Sequence, residues 1–103
     1  MTDNTEFEQL STKERLLSET ARIAWKELQR FFAQGVVLNV DPELDLVEVA
    51  CYVAEVDAQK LSELVKDELV VHPSNDQARS WYQQDAQLWS VVVAPYVLVQ
   101  EKE

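Results

Sequence analysis

Apolar side chains recur along the first third of the chain at Leu17, Ala21, Ala24, Leu28 and Phe31, with Trp25 and Phe32 widening the stripe. Steps of four, three, four and three are the period of a helix that buries one face. Ser11 and Glu14 stand at capping-box spacing at its start. Gly35 follows the last periodic residue, where a left-handed C-cap suits glycine. The pattern therefore predicts one amphipathic helix ending at Gly35. Residues 1–10 are polar and aperiodic and read as a frayed tail ahead of a single domain over residues 11–103.

The period then changes. Val36 to Val40 is short and rich in β-branched residues, which predicts a strand. A second helix starts either at Asp41-Pro42 or one turn later at Asp45 with Glu48, and buries Leu46, Val49, Ala50 and Val53. The register breaks at Glu55-Val56-Asp57. Asp57 suits the cap of a third helix, with Val56 and Leu61 at staple spacing and Leu64 and Val65 continuing the stripe. Leu69 to His72 reads as a second strand stopped by Pro73. Ser74 and Gln77 then form a capping box before a helix carrying Ala78, Trp81 and Tyr82.

Leu88 to Val99 is one long strand or two strands kinked at Pro95. Alternation puts Trp89, Val91, Val93, Val97 and Val99 on one side and Leu88, Val92, Ala94, Tyr96 and Leu98 on the other. Both sides are apolar, so both need cover. The prediction is an α+β domain in the order helix-strand-helix-helix-strand-helix-strand, with a sheet of about three strands. That order is similar to a winged helix.

Charge narrows the possibilities. The 103 residues hold 19 acidic and 9 basic side chains, a formal charge of -10. Phosphate contacts draw affinity from Lys and Arg, so nucleic acid is disfavoured as a partner. The helix in the recognition position offers Lys60 and Lys66 against Glu63, Asp67 and Glu68. Gly35 is the only glycine, which excludes glycine-rich phosphate loops. No cofactor is predicted. The N-terminal stretch lacks the basic and apolar parts of a secretory signal. The uncharged run from Ala86 to Gln100 is too short for a membrane helix, and no membrane partner is expected. Cys51 is the sole cysteine and lies on an apolar periodic segment, which predicts a core thiol in a reducing, cytoplasmic setting.

Few residues carry candidate chemistry. Asp41, Glu43 and Asp45 alternate as a calcium loop begins, but Leu46 and Tyr52 stand where that loop needs glycine and a bidentate glutamate. His72 is the only histidine and has no visible nucleophile partner. No catalytic residue or metal ligand is assigned. Arg15, Arg22, Lys26 and Arg30 fall on one face of the expected first helix, interrupted by Glu19. Like charges four apart destabilise a helix, so the acidic segment Asp41 to Asp57, in this chain or a second copy, is their natural complement. Trp89 and Tyr96 on the last strand complete a candidate interaction surface with Arg22, Lys26 and Arg30.

Trp25, the run VDPELDLVEVA from Val40 to Ala50, the Pro73-Ser74 turn, Trp81 and the run VVAPYVLVQ from Val92 to Gln100 together resemble an uncharacterised family of small bacterial proteins, domain of unknown function 2288. The resemblance spans Thr20 to Gln100 and departs at Leu64, near where the family carries a tryptophan. It implies no activity, cofactor or catalytic residue.

The function expected from the residues is that of a non-enzymatic protein-interaction module that self-associates as a homodimer and meets a further protein partner. A second copy is expected to close either the sheet face the helices leave open or the edge beside Pro95. A small enzyme or ligand or metal binder using residues 41–57 and His72 is the alternative. A winged-helix regulator of nucleic acid is the third reading.

Overall fold

A computed structural model describes residues 4–102, with side chains described from Thr12 onward. The elements run α1 (Asn4–Glu19), β1 (Ala21–Ala24), α2 (Trp25–Ala33), β2 (Val37–Val40), α3 (Leu46–Ala54), α4 (Ala58–Lys66), β3 (Val70–Val71), α5 (Asn75–Gln83), β4 (Gln87–Val93) and β5 (Tyr96–Gln100). Of the expected tail over residues 1–10, residues 1–3 lie outside the described residues and residues 4–10 are described as backbone alone. The helix starts at Asn4 rather than at Ser11.

The single long first helix is not formed. The Thr20 hydroxyl donates to the Leu16 carbonyl at 2.7 Å and α1 stops there. Ala21 to Ala24 then extends and pairs antiparallel with β4, setting Arg22 opposite Trp89 and Ile23 opposite Leu88. The residues that read as a helical stripe thus belong to three elements. Among the described side chains of α1, Leu16 rather than Leu17 is buried, and Leu17 is 60% exposed. Ladder pairing with a distant strand outweighed the local helical period.

The sheet has five strands in the order β1-β4-β5-β2-β3, not three, and the winged-helix order is not the topology. β5 and β2 run parallel, and the other neighbours are antiparallel. Pro95 marks a reversal rather than a kink: β4 and β5 form a hairpin across a cis Ala94–Pro95 bond. The reversal corrects the expected faces, because Val91 pairs with Leu98 and Val92 with Val97. Leu98 therefore joins Trp89 and Val91, while Val97 and Val99 join Leu88.

Helices cover both faces. On one, Leu16 of α1 and Leu46, Val47, Val49 and Ala50 of α3 pack on Val40, Val70, Val91 and Leu98, with Leu64 of α4 at the margin. On the other, Trp25 and Leu28 of α2 and Ala78 and Trp81 of α5 pack on Val37, Leu88, Val97 and Val99. Burying each such aliphatic or aromatic side chain stabilises the fold by about 1.5–3 kcal/mol. Among the described residues both faces carry helices, so neither is the open face expected to call for a second copy.

Local signals place the remaining helices. Asp45, not Asp41, caps α3, accepting from the Val47 and Glu48 amides. Asp57 caps α4 through the Lys60 amide, and Ser74 caps α5 through the Gln77 amide. α2, α3, α4 and α5 all end alike. Gly35, Val56, Glu68 and Asp85 adopt positive φ, and the next amide bonds back across the last turn, Val36 to Phe31, Asp57 to Tyr52, Leu69 to Leu64 and Ala86 to Trp81. A Cβ on Gly35 would meet nothing within 4 Å, so its φ of 78° alone explains the glycine.

Candidate functional site

A groove of about 410 Å³ opens where the C-terminal end of α1 passes the start of α3 at one end of the sheet. Leu17 lines it from α1 and Thr20 from just beyond that helix, Glu43 to Val47 from the loop and first turn of α3, and Trp89, Gln100 and Lys102 from the hairpin side. Its floor is apolar because Leu46 and Val47 are the buried first turn of α3, while Trp89 packs beside the core.

Gln100 fixes the acidic lip. It is 2% exposed, and its side-chain amide donates to the Asp41 carbonyl at 2.9 Å and the Leu44 carbonyl at 2.8 Å. The Asp41 carboxylate accepts from the Glu43 amide at 2.9 Å, tightening the same turn. Asp45 spends one carboxylate oxygen on the α3 cap. The exposed Glu43 side chain enters none of the ion pairs among the described residues. Trp89 lines the groove, and the Arg22 guanidinium lies over its indole, 5.8 Å from the ring centre.

The residues singled out in the sequence are only partly brought together. Trp89 lines this groove, and Arg22 contacts Trp89 without lining it. Tyr96 sits at the hairpin turn opposite Val93, 38% exposed and away from the groove lining. Lys26 lies over the Tyr82 ring at 5.2 Å and pairs with Asp85 at 3.6 Å. Arg30 lies over Phe31 at 4.8 Å, and Arg15 pairs with Glu19 at 3.6 Å. The basic stripe is thus divided among α1, β1 and α2. Its presumed complement, the segment Asp41 to Asp57, supplies none of these partners. Leu17, Leu44, Gln100 and Lys102 escaped the sequence reading. Gln100 alone left a signal, as the polar residue that ends an otherwise apolar strand.

His72 and the acidic segment are not assembled into a site. Val71 stands opposite Asn39, so the antiparallel register carries His72 toward Leu38. That is about 10 Å along β2 from Asp41. Its ring Nδ1 lies 3.1 Å from the Val37 carbonyl oxygen. It lines neither the groove nor the cleft between α2 and α5. Among the described residues, no group of three or more His, Cys, Asp or Glu side chains is placed to hold a metal ion. Cys51 is half-buried on α3; burial, and after it the Glu55 carboxylate, push its thiol pKa upward. No helix among the described residues is long and apolar enough to cross a membrane.

The family model for proteins of unknown function, DUF2288, matches residues 11–101. Among solved structures, the NMR solution structure of PA1075 from Pseudomonas aeruginosa is similar, with 44% sequence identity and a TM-score of 0.78. The match covers 88% of this chain and 84% of that one. No curated protein matches.

Proposed function

The chain belongs to this family of proteins of unknown function, DUF2288, and from that premise we propose that it is a non-enzymatic protein-interaction module. Its contact surface is the groove between α1, the start of α3 and Trp89. The observation that carries the reading is the groove's build: an apolar floor, an exposed leucine at one edge and an acidic lip held in place by Gln100. Residues 41–57 hold six carboxylates and no lysine or arginine. The partner that fits is a protein segment presenting an apolar side chain to the floor and a cationic one to Glu43 and Asp45. Burial of the first supplies affinity, and the rim charges guide encounter. Nucleic acid fits this surface poorly, because its phosphates would meet the same carboxylates.

Affinity capture from source-cell extract tests the reading with wild type, Leu17→Glu and Glu43→Lys in parallel. Both altered side chains are exposed, so the fold is expected to survive. A protein retained by wild type and lost from both variants supports the groove. Identical capture by all three, or none by wild type, overturns it.

Self-association is a second part of the reading, and it rests on the free edge of β1 now that both sheet faces are covered. Trp25 donates to the Ala86 carbonyl, so alternation along the ladder turns the backbone groups of Arg22 and Ala24 outward, where a second strand can add. A monomeric mass by light scattering at micromolar concentration removes this part and leaves the groove untouched. We place the module in the cytoplasm, where its single thiol stays reduced.

A further inference from the structure

Between α2 and α5 a second, smaller cleft of about 270 Å³ is lined by Trp25, Gln29, Phe32, Ala78, Arg79 and Tyr82. Three of its walls are aromatic, and Ala78 leaves room opposite them. Trp25 is 1% exposed, and its indole N–H is the buried side-chain polar group that finds no acceptor among the described residues. Buried polar groups are almost always bonded, so an orphan in a cleft wall points to an acceptor that arrives from outside. Arg79 sharpens the chemistry. Indole N–H and guanidinium are both donors and never acceptors. Among the described residues the guanidinium pairs with Asp76 alone, at 3.3 Å, with the two side chains 67% and 92% exposed, a pair that water readily loosens.

We propose that this cleft binds a small planar aromatic carboxylate, its ring between Trp25, Phe32 and Tyr82 and its carboxylate bonded by the Trp25 indole N–H and Arg79. The volume holds a single-ring acid. The indole nitrogen lies out of reach of solvent, so its acceptor arrives only as the aromatic walls part. Tyr82 is the wall free to turn: it is 49% exposed and covered on one side by the Lys26 ammonium at 5.2 Å.

Benzoate titrated into nitrogen-15-labelled protein tests the proposal. The chain has three tryptophans and hence three indole N–H signals. Trp25→Phe identifies the relevant one, and sequential assignment does so if that variant fails to fold. The expected result is a saturable downfield shift of the Trp25 signal, with smaller changes at Trp81 and Trp89. In Arg79→Ala, whose altered side chain is exposed, benzoate affinity is expected to fall about tenfold, the loss of one charge-assisted contact. A Trp25 signal that stays put, or that titrates equally in Arg79→Ala, overturns the proposal. So does a Trp25 signal already shifted upfield by a neighbouring ring in the free protein and unmoved by benzoate, which assigns the N–H to an aromatic face.

Discussion

Arg22 and Trp89 are Cα partners across the β1–β4 ladder, and the Arg22 guanidinium carbon stands 5.8 Å from the centre of the Trp89 ring. Side chains directly opposite in an antiparallel pair share one face of the sheet, so the stacking follows from register. The contact ties the sheet's outermost strand to the hairpin and braces Trp89, which lines the groove.

Arg22→Ala is expected to lower stability by about 0.5–1 kcal/mol in urea denaturation, the worth of a partly exposed cation–π contact. Arg22→Lys keeps the charge but not the planar stack, so it recovers part of the loss. The Trp89 fluorescence maximum is expected to move to longer wavelength in Arg22→Ala as water reaches the ring. An unchanged urea midpoint and spectrum would show that the stack contributes nothing.

Gln100 ties the end of β5 to the lip of the groove through two carbonyls more than fifty residues away in sequence. Gln100→Leu leaves the Leu44 carbonyl without its donor and the Asp41 carbonyl with the Leu44 amide alone, at a cost of about 1–3 kcal/mol for a buried acceptor. Amide exchange at residues 43–45 should accelerate as the loop loosens. Gln100→Glu adds a pH dependence. Its carboxylate cannot donate to a carbonyl, whereas the protonated acid can, so folding raises the carboxyl pKa above its unfolded value. Relative to wild type at the same pH, this variant should be most stable below about pH 4 and lose stability as pH rises through the raised value. A difference independent of pH would mean that water, not the two carbonyls, meets the new carboxyl.

These contacts also show how far the chain could be read in advance. The caps at Asp45, Asp57 and Ser74 and the glycine ending α2 were legible because each is settled within four residues of chain. β1 was not, since Ala21 to Ala24 satisfies a helical period as well as a strand. The pairing that decides between them comes from Gln87 to Ser90. The hairpin had the same ambiguity. An apolar run with apolar residues on both sides does not reveal that Pro95 reverses it, and the reversal exchanges the faces of Val97, Leu98 and Val99. Of the groove, Trp89 stood out by residue type. Leu17 looked like core and Gln100 like a strand end. Their roles depend on where α1 stops and where the 41–45 loop folds back.

Val56 and Gly35 occupy the same position after their helices, with φ of 54° and 78°. A β-branched residue in that region is strained by about 1–2 kcal/mol, and Val56 is 78% exposed, so little packing offsets the strain. Val56→Gly is therefore expected to raise the thermal midpoint, with a gain near 1 kcal/mol after the entropy of the more flexible unfolded chain is subtracted. Gly35→Ala should destabilise by a similar amount through its φ alone, because a Cβ there meets no neighbour. If Val56→Gly is neutral, the staple between Val56 and Leu61 compensates the backbone strain, and Val56→Ala should then be less stable than either.

Cys51 sits on α3 with its thiol pKa raised, chiefly by burial and then by the Glu55 carboxylate one turn away, with Asp45 and Glu48 adding to the rise and Lys13 opposing it. The neutral thiol is thus favoured in the folded state, and alkylation by iodoacetamide at pH 7.5 should run slower than for an unstructured cysteine peptide. Removing one neighbouring negative charge in Glu55→Gln should speed the reaction without unfolding the chain, since that side chain is exposed. The linkage has a definite sign. A thiol whose folded pKa is raised contributes stability that is complete below the unfolded value of about 8.5 and is lost as pH climbs through the folded one. Cys51→Ser removes a titrating group, so its urea midpoint relative to wild type should rise between pH 8 and pH 10. A constant difference over that range would place the thiol in water despite its position against the core.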